Sequence, residues 1–272
     1  MRFLGKLWAF FKRDWQVALT YRSTFVIDLA QTVAFLISLF FVGKLFSGMG
    51  TSPAMAGYGG DYFRFVFLGV VFSRFISVTS SSLNQTIRFE RENTTLEAIL
   101  LSATRFPTLI TAKLLLDLSF ITAKVAIYLS LGVFLFRADL SHANWLTVIP
   151  TFFLTAVAFL GMGMFAAGFF MLERESSPLE RLLGWLSRLL AGVYFPIAVL
   201  PEWLRQVSGW LPLTYALEAV RKALLQGASM QAVGPELTVL LGASLLLFPT
   251  GLFYFRWAFD QSRRQGSLSF ED

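Results

Sequence analysis

Two stretches of this sequence, Trp145–Leu172 and Leu237–Phe255, run without one charged residue. A helix needs roughly 20 mostly apolar residues to cross the hydrocarbon core of a bilayer, and both meet that length. Four more stretches share the character, so six spans are expected: Ser23–Phe46, Asp61–Thr86, Thr108–Phe136, Trp145–Leu172, Leu182–Leu200 and Leu237–Arg256. Leu182–Leu200 is short and carries Arg188. The 56% hydrophobic and 15% charged content agrees, because soluble domains carry about 25% charged residues. The expected fold class is therefore an all-α polytopic membrane protein.

The net charge of +6 could suggest nucleic acid, but no basic stripe with interleaved stacking aromatics lies outside the apolar segments. Topology explains it better. With the N-terminus inside, the inner segments collect Arg2, Lys6, Lys12, Arg13, Arg22, Arg88, Arg91, Arg105, Arg174, Arg181, Arg188, Arg256, Arg263 and Arg264, and the outer ones only Lys44, Arg137, Arg205, Arg221 and Lys222. That asymmetry follows the positive-inside rule and places both termini in the cytoplasm. Lys6, Lys12, Arg13 and Asp14 interrupt the N-terminal apolar residues, so no cleavable signal peptide is expected. Instead, residues 1–22 read as an amphipathic helix lying in the inner headgroup layer, with Trp8, Phe11 and Trp15 opposite Arg2, Lys6 and Arg13.

Chemistry is sparse. The chain has no cysteine and a single histidine, His142, which excludes disulfides, thiolate metal sites and imidazole clusters. Phosphate-loop, zinc-protease and serine-hydrolase motifs are also missing, so no catalytic, metal or cofactor-binding residue is expected. Energy for work must come from an ion gradient or another polypeptide.

Ionisable groups inside spans face a cavity or pair with one another. Those expected are Asp28, Arg74, Lys113, Asp117 and Lys124, with Lys113, Asp117 and Lys124 on one helix face. Counting depth along antiparallel neighbours suggests an Arg74–Asp117 pair. The hydroxyl-rich Ser77–Thr86 segment, including Ser77, Ser80 and Ser81, should face a wet vestibule or another helix. In the fourth span Gly161, Gly163, Ala167 and Gly168 should permit close helix packing.

Between the fifth and sixth spans, two apolar pieces too short to cross are divided by Pro212 and carry Trp203, Trp210 and Tyr215. This segment, about 201–234, reads as an outer re-entrant helical hairpin; a helical cap lying flat on that surface is the other geometry its composition allows. On the opposite side, Thr94 or Thr95 can cap a short helix with Glu97 in its first turn and Leu96, Ile99 and Leu100 as its apolar face. Such a helix either plugs a partner's groove or rests on the leaflet.

The run E-R-E-N-T-T-L-E-A-I-L-L from Glu90, followed by Lys113, resembles the loop of ATP-binding-cassette exporter permeases of the type-2 membrane family. G-V-Y-F-P-I-A-V-L-P-E-W-L from Gly192 and L-P-L-T-Y-A-L-E-A-V-R-K-A-L-L-Q-G from Leu211 resemble its fifth-span and re-entrant signature. The likeness is closer to the drug- and antibiotic-export subgroup than to the polysaccharide exporters. It implies a six-span permease domain over 23–272, with a coupling loop at about 87–107 and a cytoplasmic tail at 257–272, in a prokaryotic cytoplasmic membrane. Two permease subunits would form the pathway among membrane lipids, and two cytoplasmic ATPase subunits would hold ATP and Mg, with no cofactor in this chain. By the same resemblance, Glu90, Arg91, Glu92, Thr95, Leu96, Glu97 and Leu100 couple to the ATPase, and the second and fifth spans line the two-fold interface. Pro196, Pro201, Trp203, Pro212, Tyr215, Glu218 and Arg221 would form the re-entrant gate. The rival reading is an ion-coupled secondary transporter using Asp28, Asp117, Lys113 and Lys124.

Overall fold

The computed structural model describes residues 22–47, 58, 61–92, 106–173 and 178–264, together with Gly5, Lys12 and Gln16. All regular structure among them is helical: α1 (Arg22–Ser47), α2 (Tyr62–Glu92), α3 (Phe106–Phe136), α4 (Trp145–Glu173), α5 (Pro178–Leu190), α6 (Glu202–Ser208), α7 (Pro212–Leu225) and α8 (Gly234–Arg264), with a 3₁₀ turn at Ile197–Val199. Five of these, α1 to α4 and α8, are long and apolar enough to cross a membrane. The interfacial helix expected over 1–22 lies outside the described residues apart from Gly5, Lys12, Gln16 and the first residue of α1.

The central element is α2, which packs on α1, α3, α4 and α7. Its first half is an aromatic wedge: Phe63, Phe65, Phe67, Phe72 and Phe75 are all buried. Phe72 meets Phe152 of α4 edge-on at 4.8 Å between ring centroids, and Phe63 meets Phe136 of α3 at 5.0 Å. Ring pairs at this spacing add about 0.5–1.5 kcal/mol beyond their buried area. At the far end of α2, Leu83 and Ile87 join Met164, Phe170, Met171 and Phe255 in a second, smaller core. Between the two cores the buried residues of α2 are hydroxylic, Thr79 and Ser82.

The most extensive contact joins α4 to α8. A Cβ on Gly161 would strike the Leu247 carbonyl, and one on Gly251 would strike the carbonyl of Gly161. In the same way Gly163 lies on the backbone of Ser80, so the fourth-span glycines set the approach of both α8 and α2. Where lipid tails are as apolar as the side chains, such van der Waals contact replaces the hydrophobic effect in holding helices together. Thr147 donates to the Ala228 carbonyl at 3.0 Å near the start of α4, and Ser262 donates to the Met171 carbonyl at 3.1 Å near its end. The two helices therefore run parallel, and the chain between them must return from one end of the bundle to the other.

That return differs from the expected fifth span over Leu182–Leu200. Helix α5 has 13 residues and stops at Leu190; Ala191–Pro196 is non-helical and the 3₁₀ turn follows. Gly192 supplies the left-handed turn, with φ +81°, and Pro196 opens the 3₁₀ turn from an extended conformation. A φ in that range is one that a residue with a Cβ adopts only at a cost. The last helix differs at its other end: α8 continues to Arg264, so half of the tail expected at 257–272 is helical.

Candidate translocation and gate sites

Three helices bring charge together in the span region. Lys124 Nζ of α3 donates to Asp28 Oδ2 of α1 at 2.6 Å, and Arg74 Nη1 of α2 stands 4.0 Å from Asp28 Oδ1. One turn further along α1 and α3, the buried Tyr128 hydroxyl donates to Thr32 Oγ1 at 3.3 Å. A second cluster lies on α3 itself, where Lys113 Nζ donates to Asp117 Oδ1 at 2.8 Å while the Ser82 hydroxyl of α2 donates to the other carboxylate oxygen. The expected Arg74–Asp117 pair is not formed. Gly132 of α3 seats the Phe67 ring and Ser82 meets Asp117, which fixes the antiparallel register of the two helices. Eight residues, about 12 Å at the helical rise, separate Arg74 from Ser82, so Arg74 lies near the depth of Lys124.

The face of α2 turned away from its neighbours is polar. Arg74, Ser77, Ser81, Gln85 and Arg88 recur at three- and four-residue spacing and are exposed or half-exposed, whereas Thr79, Ser82 and Thr86 on the packed side are buried. The buried hydroxyls are satisfied, Thr79 on the Phe75 carbonyl at 2.8 Å and Thr86 on the Ser82 carbonyl at 2.9 Å. Ser80, half-buried, donates to the Ser77 carbonyl at 3.2 Å, and Gln85 Nε2 donates to Ser81 Oγ at 2.9 Å. Hydroxyls of the Ser77–Thr86 segment thus divide between helix contacts and an open stripe. Hydrocarbon offers that stripe no hydrogen-bonding partner.

Arg221 joins α7 to α2 and to the chain that follows α5. Its side chain is 3% exposed, with Nε donating to the Phe65 carbonyl of α2 and Nη2 to the Val193 carbonyl after α5, each at 3.2 Å. The guanidinium also lies 3.5 Å from the centroid of the Phe65 ring. Gly69 makes room, since a Cβ there would meet both the Val193 carbonyl and the guanidinium. The Leu190 carbonyl at the end of α5 accepts from Ser208 of α6 at 2.7 Å. Two carbonyls exposed by the break in α5 are therefore taken by side chains from the paired short helices, as backbone that leaves the helix inside a membrane protein requires.

Around Arg221 runs a chain of polar contacts. The Tyr58 hydroxyl donates to Glu218 Oε2 at 2.7 Å, Lys222 Nζ is 3.8 Å from Glu218 Oε1, and Lys222 Nζ donates to Glu236 Oε1 at 2.6 Å. Burial and then the Glu218 hydrogen bond push the Tyr58 phenol well above its ordinary value, so it remains a donor. Of the other expected gate residues, Tyr215 donates to the Gly209 carbonyl at 2.9 Å, closing the turn into α7, and Pro212 is the first residue of α7. Pro196 and Pro201 are the caps preceding the 3₁₀ turn and α6, and Trp203 is exposed. Tyr58, Gly69, Ser208, Lys222 and Glu236 join the expected residues in this network. A lone glycine in the aromatic half of α2 and the Pro-Glu pair in the first turn of α8 are the signals that could have found Gly69 and Glu236.

Of the expected coupling residues, Glu90, Arg91 and Glu92 form the last residues of α2. Thr95, Leu96, Glu97 and Leu100 lie outside the described residues, which resume at Phe106. With 31 residues α2 is about 46 Å long, against a hydrocarbon core of about 30 Å, so its terminal turns extend past the membrane.

A multi-pass helical bundle with charges paired between its spans and a broken fifth element is the build of a membrane transport component. Its family follows directly: the ABC-2 type transporter family model matches residues 5–225, and the chain belongs to that family. Comparison with curated proteins gives no match.

Proposed function

We propose that the chain is the permease subunit of an ATP-driven exporter, paired with a second permease subunit around a pathway that runs along the open face of α2. The polar stripe Arg74, Ser77, Ser81, Gln85 and Arg88 carries this reading, because it borders a lightly covered α1 and cannot be left to lipid. Asp28, Lys113, Asp117 and Lys124 would hold water and polar substrate groups beside that stripe. The end of α2 and the segment that follows it, with Glu90, Arg91, Glu92, Thr95, Leu96, Glu97 and Leu100, would dock a cytoplasmic ATPase that binds ATP and Mg, one per permease subunit. The paired helices α6 and α7 would close the outward exit, and both termini would lie in the cytoplasm of a prokaryotic cell.

A hydrophobic or amphipathic small molecule, such as a drug or lipid, is the substrate class we favour. The surface of α1 beside the stripe exposes Val26, Ile27, Phe35 and Phe41, while six ionisable groups along the pathway can still engage a polar end. Reconstitution into liposomes with and without a candidate ATPase tests the reading. Transport should require both the ATPase and ATP, and Leu96→Asp should leave hydrolysis running while transport stops. Proton- or sodium-driven transport by the permease alone would instead favour the ion-coupled reading, for which the Asp28–Lys124 and Lys113–Asp117 pairs are the observation.

A further inference from the structure

Helices α3 and α4 both pack on α2 but scarcely touch each other. Between them lies a cleft of about 1020 Å³, walled by Val125 and Leu129 of α3 and Val148 and Phe152 of α4, with Phe75 of α2 as its floor. Its size matches the upper end of small-ligand pockets, about 300–1,000 Å³. On α4 it runs from Trp145 to Ala156, about 16 Å at the helical rise, which is close to half the roughly 30 Å core of a bilayer. Over this depth the walls are apolar except for Thr122 and Ser130 of α3, the latter donating its hydroxyl to the Ala126 carbonyl at 2.8 Å. At the end formed by residues 137–144 the lining turns polar, with Arg137, Asp139 and Ser141.

Two details at that mouth go beyond an ordinary loop. Arg137 follows the last residue of α3 and has φ +52°, while Ala138 N–H donates to the Gly132 carbonyl at 3.0 Å to close the helix. Glycine usually fills such a left-handed cap, because a side chain costs about 1–2 kcal/mol there. The arginine is kept at that cost, and it makes no ion pair among the described residues. Two residues on, the Asp139 carboxylate is held in place by the Ser141 N–H at 3.0 Å and the Ser141 hydroxyl at 2.6 Å. A fixed anion and a cation thus both line the mouth of a largely apolar cleft one leaflet deep.

We infer that this cleft holds an acyl chain of a phosphatidylethanolamine molecule from the adjacent leaflet, with Arg137 on the phosphate and Asp139 on the ammonium group. The inference does not depend on the direction or energy source of transport. A net-anionic head such as phosphatidylglycerol satisfies Arg137 but faces Asp139 with like charge. The full-length chain, delipidated in detergent and titrated separately with phosphatidylethanolamine and phosphatidylglycerol, can be read by native mass spectrometry. One phosphatidylethanolamine per chain should be retained, at least tenfold more tightly than phosphatidylglycerol. Val133→Trp and Ala126→Trp, at different heights on the exposed wall of α3, should each abolish retention, and two separate positions guard against a folding defect in one. Asp139→Asn should shift the preference towards phosphatidylglycerol. Equal retention of the two lipids by the wild type, or unchanged retention in both tryptophan variants, would overturn the assignment. So would a change in the number of chains per particle in the tryptophan variants without lipid loss, because a second copy would then be the occupant.

Discussion

Arg221 contacts two main-chain carbonyls and a ring in the interior, and makes no ion pair with a carboxylate among the described residues. An arginine can do this because its fork presents several donors in fixed directions and its plane stacks on an aromatic face; a lysine in the same place offers a point charge and neither geometry. Each buried carbonyl left without a donor costs about 1–3 kcal/mol. Arg221→Leu should therefore destabilise the folded chain by roughly 2–4 kcal/mol, with Arg221→Lys recovering less than half of the loss, as measured by thermal unfolding in detergent. Asp28 poses the opposite problem, one carboxylate serving two cations. Asp28→Asn should impair both stability and transport, and adding Lys124→Met should cost less than the two single changes summed, which a double-mutant cycle measures directly. Additive losses would mean that the short Asp28–Lys124 contact carries no coupling energy.

At the scale of elements, glycine spacing decides which helices are fastened firmly. Gly161→Val should push α4 from α8 and lower the unfolding temperature, whereas Gly184→Ala, where a Cβ meets nothing within 4 Å, should be neutral. Long apolar runs and these glycines were legible in the residues alone, because both report on purely local requirements: enough greasy length to span, and no Cβ at a contact. Register was not legible. The centres of two spans give no information about where Phe67 seats on Gly132, and an error of two helical turns was enough to suggest an Arg74–Asp117 pair in place of Arg74–Asp28. The break in α5 escaped for a related reason. Gly192 permits a turn but does not compel it; the carbonyls that the turn frees are tolerated because Arg221 and Ser208 arrive from elements later in the chain. The sequence offers Arg221 as an outer-side cation and, by resemblance, as a gate residue, and only packing reveals it as an interior group.

For the whole molecule, the cysteine-free sequence makes assembly testable one residue at a time. If two permease subunits face each other across the α2 stripe, Ser81→Cys should give an oxidant-dependent dimer on non-reducing gels, while Phe153→Cys, on the exposed side of α4, should not. Dimers from Phe153→Cys alone would place the partner on another face. Cross-linking at position 81 should also respond to ATP once the ATPase is present, since the proposed cycle changes the distance across the pathway.

The unequal fastening of the helices has a mechanical consequence. Helices α2, α4 and α8 meet backbone to backbone through Gly161, Gly163 and Gly251, and α7 is keyed into them through Arg221. Among the described residues α1 is held by local packing on α2, by the Asp28 carboxylate with its two cations, and on α3 by the Tyr128–Thr32 hydrogen bond and the Phe40–Phe136 ring contact. A force applied at the projecting end of α2 therefore meets a stiff block on one side and a hinged panel on the other. Strain will collect where salt links can re-form at a new register, so displacement of α1 along its own axis, rather than bending of the block, is the softest response available to the chain.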